Sequence, residues 1–329
     1  MKKDFILNNK INMNDYSKAL KLIEESKYIL VITHVNPDPD SIGSALALSN
    51  FFYENKIKHK VFNISSDLPQ NLDFIPRFEK ITDQLPKFYD LAISVDCGTY
   101  GRLGFELPEN MPLINFDHHK SNNNFGNINI VDPMKSSTAE IVYDFFRHNG
   151  LYITKASATA LYVGIYDDSL AFSLGRCDEL TFDKVNYLVK FGANPSDIAN
   201  KLLRRDSLAK YRIIPKVLDS LELYKEGKVA TIYAKQKWFK ETGAHNRDCE
   251  DALDMIMSMH IVKVAFFVRV VNDVCRISLR SKEKIDVSKV ASTFGGGGHL
   301  NAAGCSVPTL DIEEARKKVL KEVLETAEK

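Results

Sequence analysis

Apolar runs along this chain end repeatedly in short polar clusters. Tyr28-Ile29-Leu30-Val31-Ile32-Thr33 has the length and continuity of a buried strand, and Leu91 to Val95 and Leu113 to Phe116 read the same way. Strand-like and helix-like segments alternate to about residue 190, which predicts a mainly parallel sheet flanked by crossover helices. Ser137-Thr138-Ala139-Glu140 reads as a helix start with Ile141, Phe145 and Phe146 on its apolar face, and Ala156 to Val163 is helix-like. From Asn194 to about Glu226 the pattern is helical and charged, and Pro215 argues against one straight helix. Strands are expected at Val229 to Ala234, Val262 to Val271 and Val274 to Ser281, with Asn272-Asp273 as a hairpin turn. Asp286 to Phe294 carries apolar residues at helical spacing, and a last amphipathic helix begins near Asp311. The expected fold class is therefore α/β. It comprises an N-terminal parallel-sheet domain over 1–193, a helical linker over 194–226 and a smaller C-terminal α/β domain over 227–329.

Composition narrows the partners. With 329 residues the chain has room for two cores, and 44 Lys plus Arg against 43 Asp plus Glu leave a formal charge of +1. That balance gives no broad electrostatic reason to bind long duplex nucleic acid, so any polyanionic substrate should be short and held locally. The five cysteines, Cys97, Cys177, Cys249, Cys275 and Cys305, form no C-x-x-C pair and fit a reducing compartment. No apolar run approaches a membrane span, which makes the cytoplasm the expected address.

The polar clusters carry the chemistry. After the first strand comes His34-Val35-Asn36-Pro37-Asp38-Pro39-Asp40. Pro37 and Pro39 bias their predecessors away from helix, so His34, Asp38 and Asp40 are expected on an extended loop, side chains two apart facing one way. Gly43, Ser44, Ala45 and Ala47 then read as a helix start. Asp96 ends the second strand and Asp117-His118-His119 the third. In an open parallel sheet, ligands bind beyond the carboxyl ends of the strands, so these ends can share one site. Gly164-Ile165-Tyr166-Asp167-Asp168-Ser169 adds paired aspartates. Taken singly, the first three clusters read more readily as polar or capped turns, while the paired aspartates suit a metal site and a turn cap equally. Half of the eight histidines, however, fall at His34, His118, His119 and His299. His34, Asp38, Asp40, Asp96, His118 and Asp168 make a thiolate-free ligand set that suits Mn(II), with Mg(II), Co(II) or Fe(II) as substitutes. Six ligands suffice for two ions if one carboxylate bridges, and paired ions are a general means of activating water for attack on phosphorus. The run Gly295-Gly296-Gly297-Gly298-His299, with Arg280 nearby in sequence, suits a phosphate or carboxylate that the backbone approaches closely.

These blocks, in this order, resemble the DHH phosphoesterases, named for the triplet found here at Asp117-His118-His119. Within them the chain is similar to the bacterial nanoRNases that also dephosphorylate 3',5'-bisphosphoadenosine (pAp). The resemblance implies two Mn(II) ions, one held by His34, Asp38 and Asp96 and the other by Asp40, Asp96, His118 and Asp168, with Asp96 as the bridge. It implies His119 at the scissile phosphate with Asp117 behind it. In a DHH-associated domain across a cleft, it implies Arg280, Ser281, Gly297, Gly298 and His299 as the grip on the substrate. The expected enzyme is a cytoplasmic Mn(II)-dependent phosphohydrolase that degrades very short RNA to mononucleotides and converts pAp to AMP, and a homodimer is compatible with it. Rival readings are a phosphodiesterase of cyclic or linear dinucleotides (c-di-AMP, pApA), an inorganic pyrophosphatase, and a noncatalytic nucleotide-binding protein. Where relatives read Gly-Asp-Thr-Gly, this chain reads Asp167-Asp168-Ser169-Leu170, which adds a second carboxylate and removes a glycine.

Overall fold

In the computed structural model, which describes residues 13–65, 68–173 and 176–327, the continuous apolar runs are strands of one parallel sheet. β1 (Ile29–Thr33), β2 (His59–Phe62), β3 (Ile81–Thr82), β4 (Leu91–Val95), β5 (Leu113–Asp117) and β6 (Ile128–Val131) are ordered β3-β2-β1-β4-β5-β6. β1, β4 and β5 are buried at every position, as strands covered on both faces must be. Alternate residues serve different cores. Ile29 and Val31 pack with Phe51, Phe52, Phe116, Phe145 and Phe146, whereas Leu30 and Ile32 pack with Phe62, Leu103 and Leu113 on the other face.

The larger core is closed by α1 (Met13–Glu25), α2 (Pro39–Glu54), α3 (Thr138–His148) and α4 (Lys155–Asp168), followed by α5 (Glu179–Lys190) and α6 (Pro195–Leu203). α2 and α4 cross at glycines. A Cβ on Gly43 would lie 2.5 Å from the Ala160 carbonyl oxygen, and one on Gly164 would lie 2.6 Å from Asp40 Oδ1. The chain after His34 departs from the extended loop expected for it. Pro39 is the first residue of α2 and Asp38 is its N-cap, accepting from the Ser41 N–H at 2.9 Å. A proline at that position lacks only an N–H that the helix would leave unpaired, and its fixed φ suits the first turn. Gly43 and Ser44 therefore lie within the helix rather than at its start.

The chain divides into two compact units, 1–205 and 206–329. The expected linker is shared between them. α6 belongs to the first unit and α7 (Leu208–Leu218) to the second, with Pro215 inside α7 and the break at Arg204 to Ser207. The second unit continues through β7 (Glu222–Tyr224), β8 (Val229–Ala234), α8 (Gln236–Thr242), α9 (Asp251–Met257), β9 (Val264–Val271) and β10 (Val274–Ser281). It ends with α10 (Val287–Thr293), β11 (Gly297–His299), β12 (Ala302–Val307) and α11 (Ile312–Ala327). Its mixed sheet has the order β11-β12-β10-β9-β8-β7, with β8 and β9 parallel and the other pairs antiparallel. Asn272 and Asp273 join β9 to β10 with φ of 48° and 61°, the paired left-handed residues of a tight hairpin. No helix among the described residues is long and apolar enough to cross a membrane.

Candidate metal centre

Strand order reverses between β1 and β4, so the ends of these two strands open a crevice, and β5 ends beside them. His34 follows β1, Asp96 follows β4, and Asp117-His118-His119 closes β5. The first turn of α2 brings Asp38 and Asp40, and the last turn of α4 brings Asp168. All six residues expected as metal ligands thus belong to the first unit and meet in two groups, which a third, of Asp96, His118 and His119, joins. Donor atoms of His34, Asp38 and Asp96 lie within 4.8 Å of one another, as do those of Asp40, His118 and Asp168. Asp96 faces both sides. Its Oδ2 is 3.4 Å from His34 Nε2, while its Oδ1 is 3.6 Å from His118 Nε2 and 3.5 Å from His119 Nδ1. His118 Nε2 is also 3.1 Å from Asp168 Oδ2, and His34 Nε2 is 3.4 Å from Asp38 Oδ2. Asp96 holds this place with a left-handed backbone, φ 60°, a conformation that a non-glycine residue adopts at a cost of about 1 kcal/mol.

The electrostatics ask for positive charge. Burial raises Asp40 well above the usual carboxylate range, and the charges of Asp96, Asp168 and Asp38 add to it. Burial first, then Asp38 and its neighbour Asp168, lifts Asp167 to about 8; burial with Asp96 and Asp38 lifts Asp168 to about 8. Asp96 is held below the usual range despite its burial, chiefly because His34 hydrogen-bonds to it and His119 adds positive charge. Burial lowers His118, which keeps it neutral and fit to ligate. Burial opposes charge on His34 as well, yet the charge of Asp38 and hydrogen bonds with Asp38 and Asp96 raise it to about 10. A proton on Nε2 there stands where a cation would bind. Crowded carboxylates facing imidazole nitrogens, with no thiolate in either group, fit one or two hard or borderline divalent cations. Asp168 joins such a group, whereas Asp167 joins none among the described residues.

The next rank of contacts orients these side chains. Asp117, fully buried, accepts from His119 Nδ1 at 2.7 Å and from the Asn122 amide at 2.5 Å. That bond orients the His119 ring, with Nε2 as its other polar atom. His34 Nδ1 lies 2.9 Å from the Val35 carbonyl oxygen and 2.8 Å from Arg102 Nη2. Arg102, a donor only, can bond that nitrogen only when it carries no proton, whereas a metal-ligating imidazole donates from it to Val35. Thr138 donates from its hydroxyl to Asp96 Oδ1 at 2.9 Å and from its N–H to Asp40 Oδ2 at 2.7 Å. Reasoning from sequence missed Arg102, Asn122 and Thr138. Their contacts join distant segments, and the one available signal, the small polar run Ser136-Ser137-Thr138, reads as an ordinary helix cap.

The residues expected to grip substrate lie in the second unit on neighbouring strands, where Arg280 of β10 pairs with Ala302 of β12 and Ala302 pairs in turn with His299 of β11. Arg280 and Ser281 are consecutive on β10 and so face opposite sides of the sheet. Arg280 is half-exposed, with Nε 3.6 Å from Asp254, while the Ser281 hydroxyl donates to the Ile285 carbonyl at 2.6 Å. Gly297, Gly298 and the His299 backbone form β11; the His299 side chain lies outside the described residues. The glycine run has a packing reason as well. A Cβ on Gly296 would meet the Gly304 carbonyl oxygen at 2.2 Å and one on Gly298 the Ala302 carbonyl oxygen at 2.4 Å, whereas Gly297 faces open space.

Residues 28–165 match the DHH family, N-terminal domain, and residues 226–329 match the DHHA1 domain. The chain is 29% identical over 311 residues to a bifunctional oligoribonuclease and PAP phosphatase, NrnA, from Thermus thermophilus, covering 94% of this chain and 92% of that one. It is 28% identical to the cyclic-di-AMP phosphodiesterase PdeA from Listeria monocytogenes over 92% of this chain and 48% of that one. An exopolyphosphatase-related protein from Bacteroides fragilis superposes with a TM-score of 0.88 at 26% identity, covering 97% of this chain and 98% of that one. The parallel sheet carries the DHH match and the mixed sheet the DHHA1 match, so the chain carries a DHH family N-terminal domain followed by a DHHA1 domain.

Proposed function

We propose that this enzyme is a Mn(II)-dependent phosphohydrolase that degrades very short RNA to mononucleotides and dephosphorylates pAp to AMP. The observation that carries the reading is Asp96, whose two oxygens face His34 on one side and His118 on the other. In this reading His34, Asp38 and Asp96 hold one cation, and Asp40, Asp96, His118 and Asp168 hold a second. When bound, two such ions activate water and offset the charge that develops on phosphorus. His119, fixed through Nδ1 by Asp117, presents Nε2 to a nonbridging phosphate oxygen. The near-neutral charge agrees with a short substrate, since a long polyanion normally calls for a basic track. The likeness to the Thermus thermophilus oligoribonuclease and PAP phosphatase, over nearly the full length of both chains, supports this substrate class.

Cleavage of cyclic or linear dinucleotides is the second reading, favoured by the likeness to the Listeria monocytogenes phosphodiesterase. Both use the same metal centre and differ in the substrate that the second unit admits. A panel with Mn(II) separates them: 5'-phosphorylated dinucleotides, longer RNAs, pAp, c-di-AMP and pyrophosphate. Turnover of the RNA dinucleotides and pAp above c-di-AMP is expected, and loss of all turnover in Asp96→Asn. A marked preference for pyrophosphate, or full turnover by Asp96→Asn, would overturn the reading.

A further inference from the structure

α3 starts against the candidate ligands and is anchored from beneath. Thr138, fully buried, touches both central carboxylates, its hydroxyl reaching Asp96 and its N–H reaching Asp40, and the Ala139 N–H donates to Asp40 Oδ1 at 3.0 Å. Both oxygens of Asp40 are thus seated on the first N–H groups of a helix, where negative charge is stabilised. The turn before Thr138 is fastened by Glu140, itself 1% exposed. Glu140 Oε1 accepts from the Ser136 N–H at 3.1 Å, the Ser136 hydroxyl at 2.5 Å and the Thr181 hydroxyl at 3.1 Å. Its Oε2 accepts from Lys184 Nζ at 2.8 Å, and the same ammonium reaches Asp144 at 2.9 Å. The Lys184 charge holds the Glu140 carboxyl below its usual range against the opposing effect of burial. A buried ion pair between α3 and α5 thereby fixes the turn whose end grips Asp40 and Asp96. None of these residues belongs to the candidate ligand groups.

We infer that Thr138 is a positioning residue that sets the orientation of Asp96 and Asp40 toward bound cations, with the Glu140–Lys184 pair holding it in place. This rests on the metal reading above. The hydroxyl bond engages only Oδ1 of Asp96, so it selects the rotation of the carboxylate that keeps Oδ2 toward His34.

The test is Mn(II) binding by calorimetry, with melting temperatures taken in chelator and in saturating Mn(II), for wild type, Thr138→Val, Thr138→Ala and Thr138→Ser. Removing an outer hydrogen bond to a ligand typically weakens metal binding roughly 10- to 100-fold, and that loss is expected for valine and alanine. Serine, which keeps the hydroxyl, should restore binding to within about threefold of wild type. A purely structural role would lower the metal-free melting temperature yet leave the metal-induced rise intact; positioning shrinks the rise. Valine and alanine variants that bind Mn(II) as wild type does would overturn the inference alone. A wild-type protein that binds no divalent cation would overturn the metal reading, and the inference with it.

Discussion

Gly164 makes a local demand that only glycine meets. A Cβ there would lie 2.6 Å from Asp40 Oδ1 and 2.7 Å from Ala139 Cβ, both fixed by the start of α3. Gly164→Ala should therefore destabilise the protein by about 1–3 kcal/mol and weaken Mn(II) binding, since the displaced group is a candidate ligand. Gly101→Ala, where nothing lies within 4 Å of the added carbon, should stay within about 0.5 kcal/mol of wild type. Equal denaturation midpoints and metal affinities for the two variants would refute this account. The candidate ligands were legible in sequence because polar clusters recur at the ends of apolar segments; a lone Asp at such a place would pass as a cap, as Asp38 also is. Thr138 was not legible. Its bond to Asp96 spans 42 residues, and a threonine opening a helix needs no further explanation.

Among the elements, α2 shows where local reasoning stopped short. Two prolines within three residues argue for extended chain, but the second sits at the one helical position that tolerates it, with Asp38 as cap. Asp38 consequently has two duties, cap and candidate ligand, and substitutions can part them. Asparagine caps as well as aspartate, so Asp38→Asn should keep the metal-free melting temperature while reducing Mn(II) affinity. Asp38→Ala should lose about 1 kcal/mol of stability in addition. Identical metal-free melting curves for the two variants would remove the capping role. The six strands named from sequence match β1, β4, β5, β8, β9 and β10 nearly to the residue, the first three because burial on both faces writes itself as unbroken apolar runs, whereas β2, β3, β6, β7, β11 and β12 went unnamed. The glycine run was read as a ligand cradle alone, since sequence does not reveal that β12 lies close enough to exclude side chains at Gly296 and Gly298.

For the whole molecule, the crowded charges make stability depend on pH and metal together. His34 and His119 are raised to about 10 and about 9, the latter by its bond to Asp117 and nearby carboxylates acting against burial, while Asp167 and Asp168 are raised to about 8 by burial and neighbouring carboxylates. A group with a raised folded pKa binds its proton more tightly when folded, so its contribution is complete below the unfolded pKa and lost as pH climbs through the folded one. The aspartates lose theirs between about pH 4 and 8 and the histidines between about pH 6.5 and 10, whereas the lowered Asp96 keeps its contribution above about pH 4. Metal-free protein should therefore melt at lower temperature at about pH 8 than at about pH 6, and the rise caused by Mn(II) should grow over that interval as its ligands shed protons. A metal-free melting temperature that is flat or rising would contradict the charge distribution. The two-unit division is visible in the chain as a change from parallel-sheet to hairpin patterning, but its boundary at 205 is not, because both flanking helices look alike in sequence.

Counting Asp96 itself, the candidate ligands come from four stretches of chain that meet only after β1, β4 and β5 have paired and α4 has packed on α2. An unfolded chain offers a cation no comparable set, so a bound ion would act as a lock on the finished structure rather than as a template for building it. Refolding rates should then be the same in chelator and in Mn(II), while unfolding slows with the metal. A cell short of the cation would hold folded protein waiting for its metal, not a pool of unfolded chains.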